Sequence, residues 1–404
     1  MNILDVYYIG RVMNSTWISS AFSCEMRSNQ LLSIDNRDKM EACAMTNNLN
    51  NDVLGLKDKI ERILIKTARK TKTLQFAMHL PVFDLSYSYS STTENQRFHS
   101  ASVGKMMTAT LVFIAIEQGK LTLETRVKNI LTPRILDKLF LYDEHDFQEE
   151  ITIRDLLGHV SGVNDYFESK TFDGSLFVDD LIRNPDKFWK PEELLDYTRN
   201  RQQTRARPRE KFFYSDTGYV LLGRIIEAVY GVPFHQALET YIFSPCDMRE
   251  SALCFYSQNF NPKELAPLYI NGIDVSQYRS LSCDFSGGGL STTSTDLVKF
   301  LDHLQNQSLI KQESLDLMAG FEHRYRTGLY YGLGMMQVRF EEFFFLLRNL
   351  PRLQGHLGVT GVHAWYDPST KATFVINVGN TKDMVLSFKL LIKIINLVFV
   401  GKIK

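Results

Sequence analysis

Residues 1–52 carry no sustained alternation of apolar and polar positions and end in the polar run Met45–Thr–Asn–Asn–Leu–Asn–Asn–Asp52. That composition marks a linker, so this segment reads as a peripheral or disordered extension. From Leu54 to Lys70 a helical period sets in, with Leu56, Ile60, Ile63 and Leu64 on one face. Leu74–Tyr89 switches to period two, Phe83, Leu85 and Tyr87 alternating with polar neighbours, which predicts one or two strands. Thr108–Ile116 is then continuously apolar with helix formers and runs to a stop at Gly119. Further helices are predicted from a Thr152 cap to Gly158, from Pro191 to Asn200, and over Thr217–Tyr230. The last of these places Tyr219, Leu222, Ile226 and Val229 on one face and stops at Gly231.

Strand patterns return at Gly332–Val338, Gly361–Tyr366 and Ala372–Val378, with a turn at Asp367–Pro–Ser–Thr370 and an apolar helix over Met384–Val400. The order defines an α/β (α+β) arrangement. Its α/β part covers about 53–118 and 270–400, and an all-α insertion covers about 119–269.

Charge narrows the function. The 404 residues hold 46 basic and 46 acidic side chains, so there is no electrostatic footprint for nucleic acid and no polybasic membrane patch. Aromatic residues make up 12% of the chain, enough for a packed core. The cysteines (Cys24, Cys43, Cys246, Cys254, Cys283) are odd in number, scattered and free of C-x-x-C pairs, which argues against a disulfide framework or a zinc site. The most apolar run, Leu390–Val400, is short and interrupted by Lys393, so no transmembrane segment is expected. Asp5, Tyr7, Tyr8, Gly10 and Arg11 spoil a signal-peptide pattern at the start, and a cytoplasmic setting is expected. The pattern sets no oligomeric state.

The chemistry concentrates at Phe98–His–Ser–Ala–Ser–Val–Gly–Lys–Met–Met107. Ser102 and Lys105 stand three apart at the start of a helix, hence on one face. A serine hydroxyl is a weak nucleophile until a base takes its proton, and a neighbouring lysine supplies a Ser–Lys acyl-transfer site. Ser308–Leu–Ile–Lys311 has the same spacing, but Asn306, Gln307, Gln312 and Glu313 make it a solvated turn. Spacing alone therefore decides nothing. Two other passages qualify as partners. Tyr214–Ser–Asp216 precedes the Thr217 helix, where a phenol can relay a proton and a cationic Lys105 would favour its ionised form. Gln354–Gly–His–Leu–Gly–Val–Thr–Gly361 brings His356 to a glycine-rich strand, whose N–H groups can stabilise an oxyanion.

In this order the pieces resemble the serine β-lactamase and penicillin-binding-protein superfamily, nearest to class C β-lactamases, D-Ala-D-Ala carboxypeptidases, D-aminopeptidases and related esterases. Ser102–Val–Gly–Lys105 matches S-x-x-K, Tyr214–Ser–Asp216 matches Y-x-N, and His356–Leu–Gly358 matches K-T-G or H-x-G. Framework phrases at Ile151–Gly162, Tyr214–Gly223 and Ser286–Asp296 agree, and the likeness covers roughly residues 54–400. It implies an antiparallel sheet flanked by helices, an all-α insertion and an active site at their junction. It also implies no cofactor or metal, and a small-molecule or peptide substrate. Ser102 would form the acyl-enzyme, Lys105 and Tyr214 would share base and acid work, and the N–H groups of Ser102 and Val359, beside Gly358, would form the oxyanion hole. His356 would orient a substrate carboxylate or hold the proton network.

Two departures qualify this. Asp216 replaces Asn, setting an acceptor-only carboxylate before Lys105, and His356 replaces a permanent cation. Framework residues such as His159, Gly288 and Gly289 read as structural, and the run Phe340–Leu347 reads as packing or an apolar acyl pocket. No G-x-S-x-G elbow, phosphate loop or H-E-x-x-H signature is present. The alternative is a catalytically weak penicillin-binding or regulatory paralogue that acylates slowly or only binds ligand.

Overall fold

A computed structural model describes residues 53–401, so the extension read in residues 1–52 lies outside the described residues. The chain divides into two units, Ile65–Lys389 and a second made of Met1–Leu64 with Leu390–Lys404. In the second, residues 53–64 are helical, with Ile60 and Leu64 buried as their period requires, and residues 390–399 continue the helix Met384–Phe399.

Within Ile65–Lys389 the period-two signals assemble into one eight-stranded sheet. Its order is His323–Arg326, Leu329–Tyr331, Met336–Val338, Leu353–Gly358, Val362–Tyr366, Thr373–Asn377, Gln75–Leu80, Leu85–Ser90. All neighbours are antiparallel. Phe76 pairs with Ile376, so the first strand of the layer closes against the last and the segments either side of the helical stretch share one sheet. Val362–Tyr366 and Thr373–Asn377 are buried at every residue, as central strands covered on both faces must be. The edge strand Leu85–Ser90 alternates between exposed and half-buried positions.

The apolar run after Lys105 becomes the helix Lys105–Glu117, buried from Lys105 to Ala115. A helix apolar all round has no solvent face, and this one is the core helix of the unit. Asp216–Tyr230 packs against it. Residues 119–269 are mainly helical but not all-α as expected: beside Pro133–Leu136, Ile153–Leu157, Phe177–Arg183, Pro191–Arg201, Asp216–Tyr230 and Phe234–Leu238 they hold the hairpin Leu141–Tyr142 and His145–Asp146, and Ala252–Leu253 pairs with Leu290–Thr292. Thr152 caps Ile153–Leu157 through a capping box with Asp155, and Ser215 caps Asp216–Tyr230 by accepting the Gly218 N–H. Among the described residues no helix is long and apolar enough to cross a membrane.

Leu74–Tyr89 forms two strands, one of the two expected outcomes; two details of the strand reading need correction. Phe83 lies not in a strand but in the 3₁₀ turn Pro81–Phe83 that separates them. The single strand expected over Gly332–Val338 is a turn leading into Met336–Val338: Gly332 N–H donates to Met335 O at 2.9 Å and Leu333 N–H to Met318 O at 3.0 Å. Gly334 allows this by adopting φ +84°, and a Cβ there would lie 2.2 Å from Ala109 Cβ on the core helix. Gly334→Ala should therefore lower stability by about 2 kcal/mol or more, through left-handed strain and overpacking. Chemical denaturation checks this; an unchanged midpoint would show that the helix is not packed on this turn.

Candidate active site

Ser102 sits in a 3₁₀ turn, Ala101–Gly104, that feeds directly into Lys105–Glu117. The turn is anchored from several sides. Phe98–His99 pairs with Leu290–Thr292, Ser100 N–H donates to Leu290 O at 2.8 Å, and Ser100 Oγ donates to Gly288 O at 2.7 Å. Ala101 N–H donates to His99 Nδ1 at 3.2 Å, and Ala101 itself holds φ +47°. A left-handed alanine costs on the order of 1 kcal/mol, and here it sits directly before the serine. Gly288 makes the approach possible: at φ +147°, a Cβ would lie 2.1 Å from Ala101 O.

Lys105 is fully buried, and its ammonium has three oxygen partners. It donates to Gly287 O at 2.6 Å, reaches Ser102 Oγ at 3.3 Å, and forms an ion pair with Asp216. A lysine has three donors, and all are used. Asp216 opens its helix, where the free N–H groups and dipole favour a carboxylate. Its own N–H donates to Asp165 Oδ1 at 2.9 Å. The ammonium also lies 5.0 Å from the Tyr214 ring centroid and 5.4 Å from that of Tyr219.

Tyr214 is brought to the same place, its ring beside the Lys105 ammonium and its phenol near the Ser102 hydroxyl. The expectation that Lys105 would favour its ionised form is not met. Burial first, and the Asp216 carboxylate second, hold the phenol well above its ordinary range of about 10, so it keeps its proton. Asp216 faces Lys105 directly, and the negative member of that pair governs the phenol.

His356 is also buried, on the strand Leu353–Gly358. Its Nε2 lies 3.3 Å from Tyr331 Oη, which lies 3.3 Å from Tyr219 Oη; Tyr219 donates to Leu157 O at 3.2 Å. Burial, then the Lys105 charge, push His356 down to about 3, so the ring is neutral. Gly358, two residues on, lies against Ser100 and Ala101, which brings the end of this strand to the nucleophile turn with Val359 exposed beside it.

Several neighbours had no sequence signal of their own. Gly287 lies in the Ser286–Asp296 phrase but was not marked as a ligand of Lys105. Asp165, Glu168 and Asp284 are acids whose carboxyls are all pushed above the usual range by burial and by Asp216. The Phe340–Leu347 run stands apart from these groups: Phe343 packs on Phe340 and Phe388, and Phe344, Phe345 and Leu346 are more than half exposed. Ser308 is exposed and bonded to His303, away from any such network. Among the described residues no group of three or more His, Cys, Asp or Glu could hold a metal ion.

The sheet with its core helix, and a lysine bridging a serine and a carboxylate, define a class of Ser–Lys folds. Comparison with known proteins agrees. The Beta-lactamase family pattern matches residues 81–386, and the chain belongs to that family. It is 30% identical over 161 residues to penicillin-binding protein 4 of Amycolatopsis lactamdurans, covering 40% of this chain and 37% of that one. The chain spans about half the length, or less, of the first curated relatives it matches. Among solved structures it is similar to D-amino acid amidase from Ochrobactrum anthropi SV3, with TM-score 0.72 and 22% identity over 86% of this chain and 100% of that one. The octameric penicillin-binding protein homologue from Pyrococcus abyssi gives TM-score 0.65 and 23% identity over 87% and 78%. These structural likenesses show the fold.

Asp165 yields a pH prediction. Its carboxyl is raised from 3.8 to about 8 by burial, then by Asp216 and Glu168. A raised folded pKa means the native state binds more protons than the unfolded chain between the two values, so stability falls as pH rises from about 4 to about 8. Asp165→Asn should flatten that slope in thermal melts taken across the window. An unaltered slope would place the linkage on other groups.

Proposed function

We propose that this chain is a serine hydrolase that works through an acyl-enzyme on Ser102. The observation that carries the reading is the buried Lys105 ammonium reaching Ser102 Oγ while bound to Asp216 and Gly287 O. Ser102 Oγ attacks the substrate carbonyl carbon and its proton passes to the Lys105 amine, with Asp216 holding the proton that otherwise occupies that amine. Negative charge on the carbonyl oxygen is met by the N–H groups of Ser102 and Val359. The protonated Tyr214 phenol is suited to donate to the leaving group, and water then cleaves the ester on Ser102 by the reverse route.

Substrate class follows from what the site lacks. His356 is neutral and tied to Tyr331, and Lys105 is fully engaged, so neither serves as a cation for a carboxylate. This supports an ester, amide or D-amino-acid derivative without an essential carboxylate. Two structural neighbours, a D-amino acid amidase and the hydrolase EstCE1, fit that range by name. Asp216 also supports a second reading, a paralogue that acylates slowly or only binds ligand, because a carboxylate paired with Lys105 favours the ammonium, and an ammonium is no base.

A fluorophosphonate probe should label wild type, and Ser102→Ala should lose labelling by on the order of 10³-fold or more, as nucleophile removal does elsewhere. Ser308→Ala is the control and should label as wild type. Labelling that survives in Ser102→Ala would refute the assignment. Turnover of p-nitrophenyl esters and D-amino acid amides then separates a hydrolase from a slow acylator.

Asp216→Asn tests the pair itself. If the carboxylate relays the Lys105 proton, the variant should lose on the order of 10²-fold in acylation rate per folded molecule. A gain in rate, above all with β-lactams, would show that Asp216 restrains the site instead.

A further inference from the structure

Tyr214 and Asp216 stand on one loop, and the segment from His159 to Asp165 holds that loop bond by bond. Arg205 N–H donates to Gly162 O at 2.8 Å, Arg209 N–H to Val160 O at 2.7 Å, and Phe213 N–H to His159 O at 2.8 Å. At the next step the pattern changes from backbone to side chain: Ser215 N–H donates to His159 Nδ1 at 3.1 Å. Ser215 Oγ donates to Asn164 O at 2.9 Å, and Asp216 N–H to Asp165 Oδ1 at 2.9 Å. Both residues flanking Tyr214 are thus bonded to His159, one through its carbonyl and one through its ring.

The ring does a second thing. It lies against the Tyr214 ring, centroids 4.3 Å apart and planes 32° apart, and is walled on its other sides by Tyr219, Tyr331 and Phe212. Because Nδ1 accepts, Nε2 carries the hydrogen, and that buried atom has no partner among the described residues. An unpaired buried donor costs about 1–3 kcal/mol. The residue also holds φ +57°, in the left-handed region that disfavours a residue with a Cβ. A purely structural role is poorly matched to a side chain that carries both penalties where an apolar ring would carry only one.

We infer that His159 is a positioning residue that fixes the Tyr214 phenol near Ser102, through the acceptor at Nδ1 and the ring packed on Tyr214. The kinetic part of this rests on the serine-hydrolase reading above; the structural part does not. Misplacement of a proton-transfer group by about 1 Å costs on the order of 10²-fold in rate, which sets the effect to look for.

Two substitutions split the functions of the ring. His159→Phe keeps a stacked aromatic ring and removes the acceptor; His159→Asn keeps a polar acceptor near Nδ1 and loses the ring. Two readouts are taken: the rate at which a fluorophosphonate acylates Ser102 per folded molecule, and the ¹⁹F spectrum of 3-fluorotyrosine installed at position 214. We expect His159→Phe to acylate about 10²-fold more slowly with a broadened or split fluorine line, and His159→Asn to recover at least about tenfold of that loss. Two results overturn the inference. One is a His159→Phe enzyme that acylates at the wild-type rate with an unchanged fluorine line. The other is a rate loss in both variants that tracks only a lower denaturation midpoint. If wild type is not labelled at all, the hydrolase reading falls, and the fluorine line alone decides whether His159 holds Tyr214.

Discussion

A lysine ammonium with no solvent contact is the constraint around which the rest of this unit is arranged. Removing an ammonium from water costs several kcal/mol, and the cost is recovered only where counter-charge and hydrogen bonds have good geometry. Lys105 meets that condition with Asp216, Gly287 O and Ser102 Oγ. Each partner must then be held in place by something else. Gly287 is carried by the turn that Gly288 allows to press on Ala101. Asp216 is carried by a helix N-terminus whose first N–H is taken by Asp165. Ser102 is carried by a turn bonded to His99, Leu290 and Gly288.

The sheet serves this arrangement by delivering one strand end. Leu353–Gly358 pairs with Met336–Val338 on one side and Val362–Tyr366 on the other, which fixes its register. A slip by one residue would turn His356 to the opposite face. In the observed register His356 reaches Tyr331 and Gly358 lies against Ser100 and Ala101. The same sheet closes through Gln75–Leu80 against Thr373–Asn377, far apart in sequence. Local pattern sets each strand, and the long-range pairing sets the site.

Much of this was legible in the sequence because it depends on local signals. The core helix follows from the apolar run Thr108–Ile116, the Asp216 helix from its period and Gly231 stop, and the central strands from their β-branched and aromatic runs. Ser102, Lys105, Tyr214, Asp216 and His356 were marked by the order of their motifs and the family resemblance this carries, and the fold brings them near one another. What escaped depends on three-dimensional proximity. The strand expected at Gly332–Val338 fails because Gly334 must admit Ala109, a residue more than two hundred positions away. The protonation state of Tyr214 was misjudged because the sequence shows the lysine but not the burial that outweighs it. His159 reads as framework from the sequence; its bonds to the residues on either side of Tyr214 have no local signal, because its ring and carbonyl reach that loop only across the ladder from Gly162 to Phe213.

Charge around the Ser102 hydroxyl is the last consequence of the buried pair. Lys105 brings one positive charge, and Asp216 cancels it at contact. Beyond them stand Asp165, Glu168 and Asp284, each made harder to ionise by Asp216 and by burial. His356, which occupies the place of a cation in related motifs, is neutral because the same burial and the same Lys105 charge oppose its protonation. Burial first, and then the charges of Lys105 and Asp216, keep a second positive group and further negative groups from ionising here. The charges in direct reach of the Ser102 hydroxyl are thus the paired Lys105 and Asp216. For the hydrolase proposed above, a lysine neutralised at contact and a neutral His356 support a substrate that brings no essential carboxylate to these two groups.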